Sequence, residues 1–72
     1  MARDEVAITD ESIRLGQFLK LAGLIDSGAD AKAVIANGLV SVNGEVERRR
    51  GRKLSAGDEV SLAGRTAVVV GR

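Results

Sequence analysis

SGADAKAVIANGLVSVNGEV, residues 27–46, changes its period halfway along. In the first half Ala31, Val34 and Ile35 fall three and four apart, which lines one face of a helix. Ser27 followed by Asp30 reads as a capping-box-like start, with Asp where Glu is more usual. Gly38 reads as the stop, and the alanines favour helix independently of packing. From Leu39 the period becomes two, and Asn43-Gly44 marks the bend of a hairpin. Two registers are open. A two-residue turn pairs Val42 with Glu45 and sends Val46 to the face opposite Val40 and Val42. A loop of Val42, Asn43 and Gly44 pairs Val40 with Val46 instead. The second collects the valines on one side and is the preferred expectation.

Working outward, IRLGQFLKLAGL (residues 13–24) carries a second helical stripe at Leu15, Phe18, Leu19 and Ala22. This helix is expected to be about two turns long, with Gly23 as a left-handed terminator and Leu24 folded back over the last turn. Gly16 and Lys20, four apart, face away from the core. EVAIT (residues 5–9) alternates Val6 and Ile8 and predicts an edge strand. After residue 53, SAGD is a turn, Val60 and Leu62 alternate, and Gly64 marks a second bend into Ala67–Val70. The order is strand, helix, helix and about four further strands. That predicts an α+β domain, with two helices packed on a small antiparallel sheet. Residues 1–12 are read as an acidic N-terminal segment with a possible edge strand, and residues 13–72 as the domain proper.

Composition narrows the chemistry. A chain of 72 residues buries only about 60% of its unfolded surface, so one compact core must supply the stability. There is no Cys and no His, which removes disulfides, the usual zinc sites, the commonest general base and the most reactive nucleophile. No enzymatic activity, metal or cofactor is expected. No apolar run approaches the roughly 20 residues of a membrane span. The acidic start lacks the apolar centre of a signal peptide, so a cytoplasmic protein is expected; a monomer is the separate expectation for its oligomeric state.

The formal net charge is +1, yet Arg48, Arg49, Arg50, Arg52 and Lys53 lie within six consecutive residues without an acid among them. Residues 1–12 set Arg3 against Asp4, Glu5, Asp10 and Glu11. A partner meets the local potential rather than the net charge. Arginine-rich clusters suit phosphate, through counterion release and bidentate donors. Lys20 and Lys32, on exposed helix faces, are expected to flank a groove whose far wall is the basic loop, with Arg14 extending it. Gly28, at the second helix's N-terminus, would let a phosphate approach free N–H groups, with Asp30 competing as an internal anion. Phe18 is the only aromatic residue and belongs to the apolar stripe. Binding by stacked bases is therefore excluded, and recognition by shape and backbone remains. Each residue also has a plainer role: a charge run is commonly a solvated loop, and Lys20 and Lys32 can be ordinary surface lysines. Ser27 is first a cap, and Asn43 and Gly44 are first turn formers. Glu45 and Glu47 are expected to form exposed pairs with nearby arginines, worth about 0–1 kcal/mol.

The residues from Ile13 to about Val70 resemble the RNA-binding domain named after small-subunit ribosomal protein S4. Leu15, Phe18 and Leu19 fit its first helix. Ser27, Ala31, Ile35, Gly38, Val40, Val42, Asn43 and Gly44 fit its second helix and hairpin, and Val34 stands in for Leu. LSAGDEV continues the likeness, and the absence of any attached enzyme domain points to the free-standing bacterial members. The resemblance implies a two-helix αL motif and non-catalytic binding to structured RNA, ribosomal or transfer RNA, in association with the ribosome. The family pattern has Arg where this chain has Gly28, which shifts the expected phosphate contacts to Lys32 and the loop. The expected RNA-binding set is Arg14, Lys20, Ser27, Gly28, Lys32, Asn43, Arg48, Arg49, Arg50, Arg52 and Lys53. Two other classes fit the charge pattern alone: a DNA-binding accessory protein, and a module that docks its basic loop on an acidic protein.

Overall fold

The two apolar stripes meet. Leu15, Phe18 and Leu19 of helix α1 (Leu15–Leu21) and Ala31 and Ile35 of helix α2 (Gly28–Ala36) are all at most 1% exposed in the computed structural model, which describes residues 4–71. They cover one face of a sheet built from β1 (Asp4–Ala7), β3 (Val40–Val42), β4 (Glu45–Val46), β6 (Glu59–Leu62) and β7 (Arg65–Val70), in the order β1-β7-β6-β3-β4. Val40, Val42, Val60, Leu62, Ala67 and Val69 supply the sheet's side of the core, and Ile8 and Leu54 join it. A separate two-stranded ribbon pairs β2 (Ile13–Arg14) with β5 (Lys53–Leu54).

The fold class is the α+β arrangement expected, with one refinement in the sheet. β1 occupies an edge, as the alternation of Val6 and Ile8 suggested, but it runs parallel to β7. A parallel pair needs a long crossover. Here the whole chain between the two strands supplies it. Arg65 reinforces that edge, since its guanidinium lies 3.5 Å from Asp4 Oδ2 and donates to the carbonyl of Gly23 at 3.4 Å.

Both helices stop as the glycines predict. Gly23 and Gly38 have φ of +73° and +72°. The N–H groups of Leu24 and Leu39 reach back to the carbonyls of Leu19 and Val34. This is the double closure of a Schellman ending. At the start of α2, Ser27 Oγ accepts from the Asp30 N–H at 3.4 Å, the expected cap.

The β3–β4 hairpin takes the other register. Ser41 pairs with Val46 and Val42 with Glu45, which leaves Asn43 and Gly44 as a two-residue turn with φ of +53° and +86°. Both values are positive, as a type I′ turn requires, and its twist matches that of the strands. Val46 therefore points away from the core and is 55% exposed. Collecting valines on one face was the weaker criterion. β4 is an edge strand whose outer face meets solvent, and turn geometry sets its register. The residue that takes the inward position opposite Val40 is Glu47, whose N–H donates to the Val40 carbonyl at 3.0 Å. No helix among the described residues is long and apolar enough to cross a membrane.

Candidate nucleic-acid interface

Glu47 organises the basic loop. It was expected to form an exposed pair; instead it is 7% exposed and accepts four hydrogen bonds. Oε2 accepts from the backbone N–H and Nε of Arg49, each at 3.1 Å. Oε1 accepts from Arg49 Nη2 at 3.3 Å and from Arg52 Nη1 at 2.9 Å. The Arg49 side chain, then that of Arg52, then the Arg49 backbone hold the carboxyl well below its ordinary 4.5, at about 2. Glu47 in turn raises the pKa of Arg49. Two of the five clustered cations thus share one carboxylate within the loop, with the Arg49 side chain still 79% exposed.

The same segment closes the first helix. The carbonyls of Arg52 and Arg50 accept from the N–H groups of Leu15 and Gly16 at 2.8 and 3.1 Å. These donors belong to the first turn of α1 and have no partner within the helix. With its carbonyls so engaged, the chain lays the Arg50 side chain over Gly16. A Cβ there would stand 2.9 Å from Arg50 Cγ, so the close approach depends on glycine.

A groove of about 350 Å³ results between α1, the start of α2 and the loop. Arg14, Lys20 and Arg50 bring three cations to it, and Gly28 and Ala31 form the α2 side. Gly16, Gln17 and Gly51 complete the lining, which contains no acid. Arg14 Nη1 reaches over the Gly51 backbone, 3.8 Å from where a Cβ would be. Lys53 stands directly opposite Arg14 in the β2–β5 ribbon and so carries charge beside the groove.

The remaining expected residues separate from this cluster. Lys32 is exposed on α2, four residues beyond Gly28, outside the lining. Ser27 is occupied as the cap. Arg48 lies at the other end of α2, its Nη2 2.6 Å from the position of a Cβ on Gly38. The last turn of that helix has no cation of its own, and Arg48 supplies one where the carbonyl ends favour it. Asn43 binds across to the start of β6 and the residue before it: its Nδ2 donates to Asp58 Oδ1 at 3.1 Å, and its Oδ1 accepts from the Glu59 N–H at 2.9 Å. Its amide is spent on holding the hairpin. Gln17 and Gly51 were not anticipated as lining residues, and nothing local in the sequence marks them.

The S4 domain family model matches residues 6–70. RlbA of Bacillus subtilis (strain 168), named as a probable ribosome maturation protein, is 51% identical over 59 residues, covering 82% of this chain and 83% of that protein. YbcJ of Escherichia coli (strain K12), named provisionally as an RNA-binding protein, is 48% identical over 58 residues, 81% of this chain and 83% of YbcJ. The solution structure of Escherichia coli YbcJ, described as revealing an αL motif involved in RNA binding, matches with a TM-score of 0.73. That match has 39% identity and covers 97% of this chain and 90% of the other.

Proposed function

The chain belongs to the S4 domain family, and on that premise we propose that it is a non-catalytic, cytoplasmic RNA-binding protein that acts on structured ribosomal or transfer RNA in association with the ribosome. The observation that carries this reading is the acid-free groove in which Arg14, Lys20 and Arg50 converge beside Gly28. Phosphates are the main source of nucleic-acid affinity, and three cations on the walls of one groove meet a phosphate backbone better than the same charges scattered. The naming of RlbA for ribosome maturation supports the ribosomal setting. Phe18 is fully buried, so base stacking on an aromatic platform is not available, and the RNA is read by its shape and backbone.

The test is a titration of a structured ribosomal RNA fragment against a matched DNA duplex over a salt series. Arg14, Lys20, Arg50 and Lys53 meeting about four phosphates give an expected slope of log affinity on log salt of roughly −3 to −4, with RNA bound more tightly than DNA. Equal binding to both duplexes would move the reading to a general nucleic-acid binder. Absence of binding to either at low salt would overturn it in favour of an acidic protein partner.

A further inference from the structure

On the inner face of the sheet, opposite Val40, an apolar residue would complete the buried layer. The chain places Glu47 there, 7% exposed. A buried carboxylate is costly unless it is fully hydrogen-bonded. Glu47 meets that condition by drawing in the Arg49 backbone and the guanidinium groups of Arg49 and Arg52. Between those two anchored residues lies Arg50, whose carbonyl closes the first turn of α1 and whose side chain enters the groove over Gly16.

We propose that Glu47 is a positioning residue for RNA binding, an acid whose removal weakens affinity for a polyanion because it holds Arg50 in the groove. The proposal rests on the RNA-binding reading above and adds the direction of an effect that charge alone would reverse. Neutralising Glu47 raises the formal net charge from +1 by one unit and frees Arg49 and Arg52 to meet phosphate. A purely electrostatic account therefore expects tighter binding. In the positioning account, a loop without its anchor must be ordered when RNA binds, and that ordering of backbone and long side chains opposes association.

Glu45 is the control. It removes the same charge from a site two residues away, on β4, and its side chain is exposed. The experiment titrates the structured ribosomal RNA fragment at one salt concentration with wild type, Glu47→Gln, Glu45→Gln, Arg50→Ala and the Glu47→Gln/Arg50→Ala double variant. The expected result is an affinity loss of about 5- to 10-fold for Glu47→Gln and none for Glu45→Gln. Arg50→Ala should cost several-fold in the wild type and little in the Glu47→Gln background, a coupling that general destabilisation would not produce. Binding by Glu47→Gln as tight as wild type or tighter, or an equal cost of Arg50→Ala in both backgrounds, overturns the positioning role alone. A wild type that does not bind the fragment removes the RNA reading and this role with it. Should circular dichroism show Glu47→Gln unfolded, Arg49→Lys replaces it. That variant keeps the charge, loses the two-pronged contact with Glu47, and alters a side chain that is 79% exposed. Coupling between Arg49→Lys and Arg50→Ala supports the proposal, and strict additivity overturns it.

Discussion

Glu47 and Glu45 are two residues apart on one short hairpin arm, yet they face different surroundings. Glu45 is exposed, whereas Glu47 is buried with both oxygens engaged by arginine. The difference shows in titration. The Glu47 carboxyl has a pKa near 4.5 when free and about 2 in the fold, lowered first by the Arg49 side chain and next by Arg52. A carboxylate with a depressed folded pKa stabilises the protein above its unfolded pKa, and that contribution disappears as pH falls through the folded one. Thermal midpoints measured against pH should therefore show a Glu47 component that is flat above about pH 5 and declines from about pH 4.5 towards pH 2. The gap in midpoint between wild type and Glu47→Gln should shrink over that window; a gap independent of pH would show that the fold does not lower the Glu47 pKa.

At the scale of the element, the helices were legible because their signals are local. The three- and four-residue spacing of Leu15, Phe18 and Leu19 and of Ala31 and Ile35 depends only on neighbours along the chain, as do the stops at Gly23 and Gly38. The hairpin was legible as a hairpin but not in register. Shifting a strand by one residue exchanges every inward and outward side chain, and apolar patterning over two short arms is too weak to choose. The choice fell to the Asn43-Gly44 turn, which Asn43 secures through Asp58 and Glu59. Asn43→Ala should lower stability by about 1–2 kcal/mol, since alanine is disfavoured in the left-handed region. Urea denaturation measures that loss. RNA affinity at a temperature where the variant remains folded should be unchanged, because Asn43 lies outside the groove lining; a drop in affinity would show that Asn43 itself contributes to RNA binding.

For the whole molecule, the cations of residues 48–53 lie against different parts of the fold. Arg49 and Arg52 are tied to Glu47, Arg48 lies at the end of α2, and Arg50 joins Arg14 and Lys20 from other parts of the chain. Arg50→Ala should therefore flatten the salt dependence of RNA binding by about one unit of slope, as expected for one lost phosphate contact. Arg48→Ala should leave the slope unchanged. Equal effects of the two substitutions in the same salt series would mean that the whole loop, rather than the groove, faces the RNA.

The helices, their terminating glycines, the presence of the turns and the local excess of positive charge were determined by the sequence itself, because each depends on residues a few positions apart. The likeness to the S4 domain was carried by the same short-range offsets. The tertiary structure decided the parallel pairing of β1 with β7, the inward position of Glu47 and the convergence of Arg14, Lys20 and Arg50 on one groove. Those outcomes depend on distances between segments far apart along the chain, such as Gly16 and Arg50. The inward position of Glu47 adds a one-residue choice of register in the β3–β4 hairpin, which buries a carboxylate opposite Val40 at the start of the basic loop.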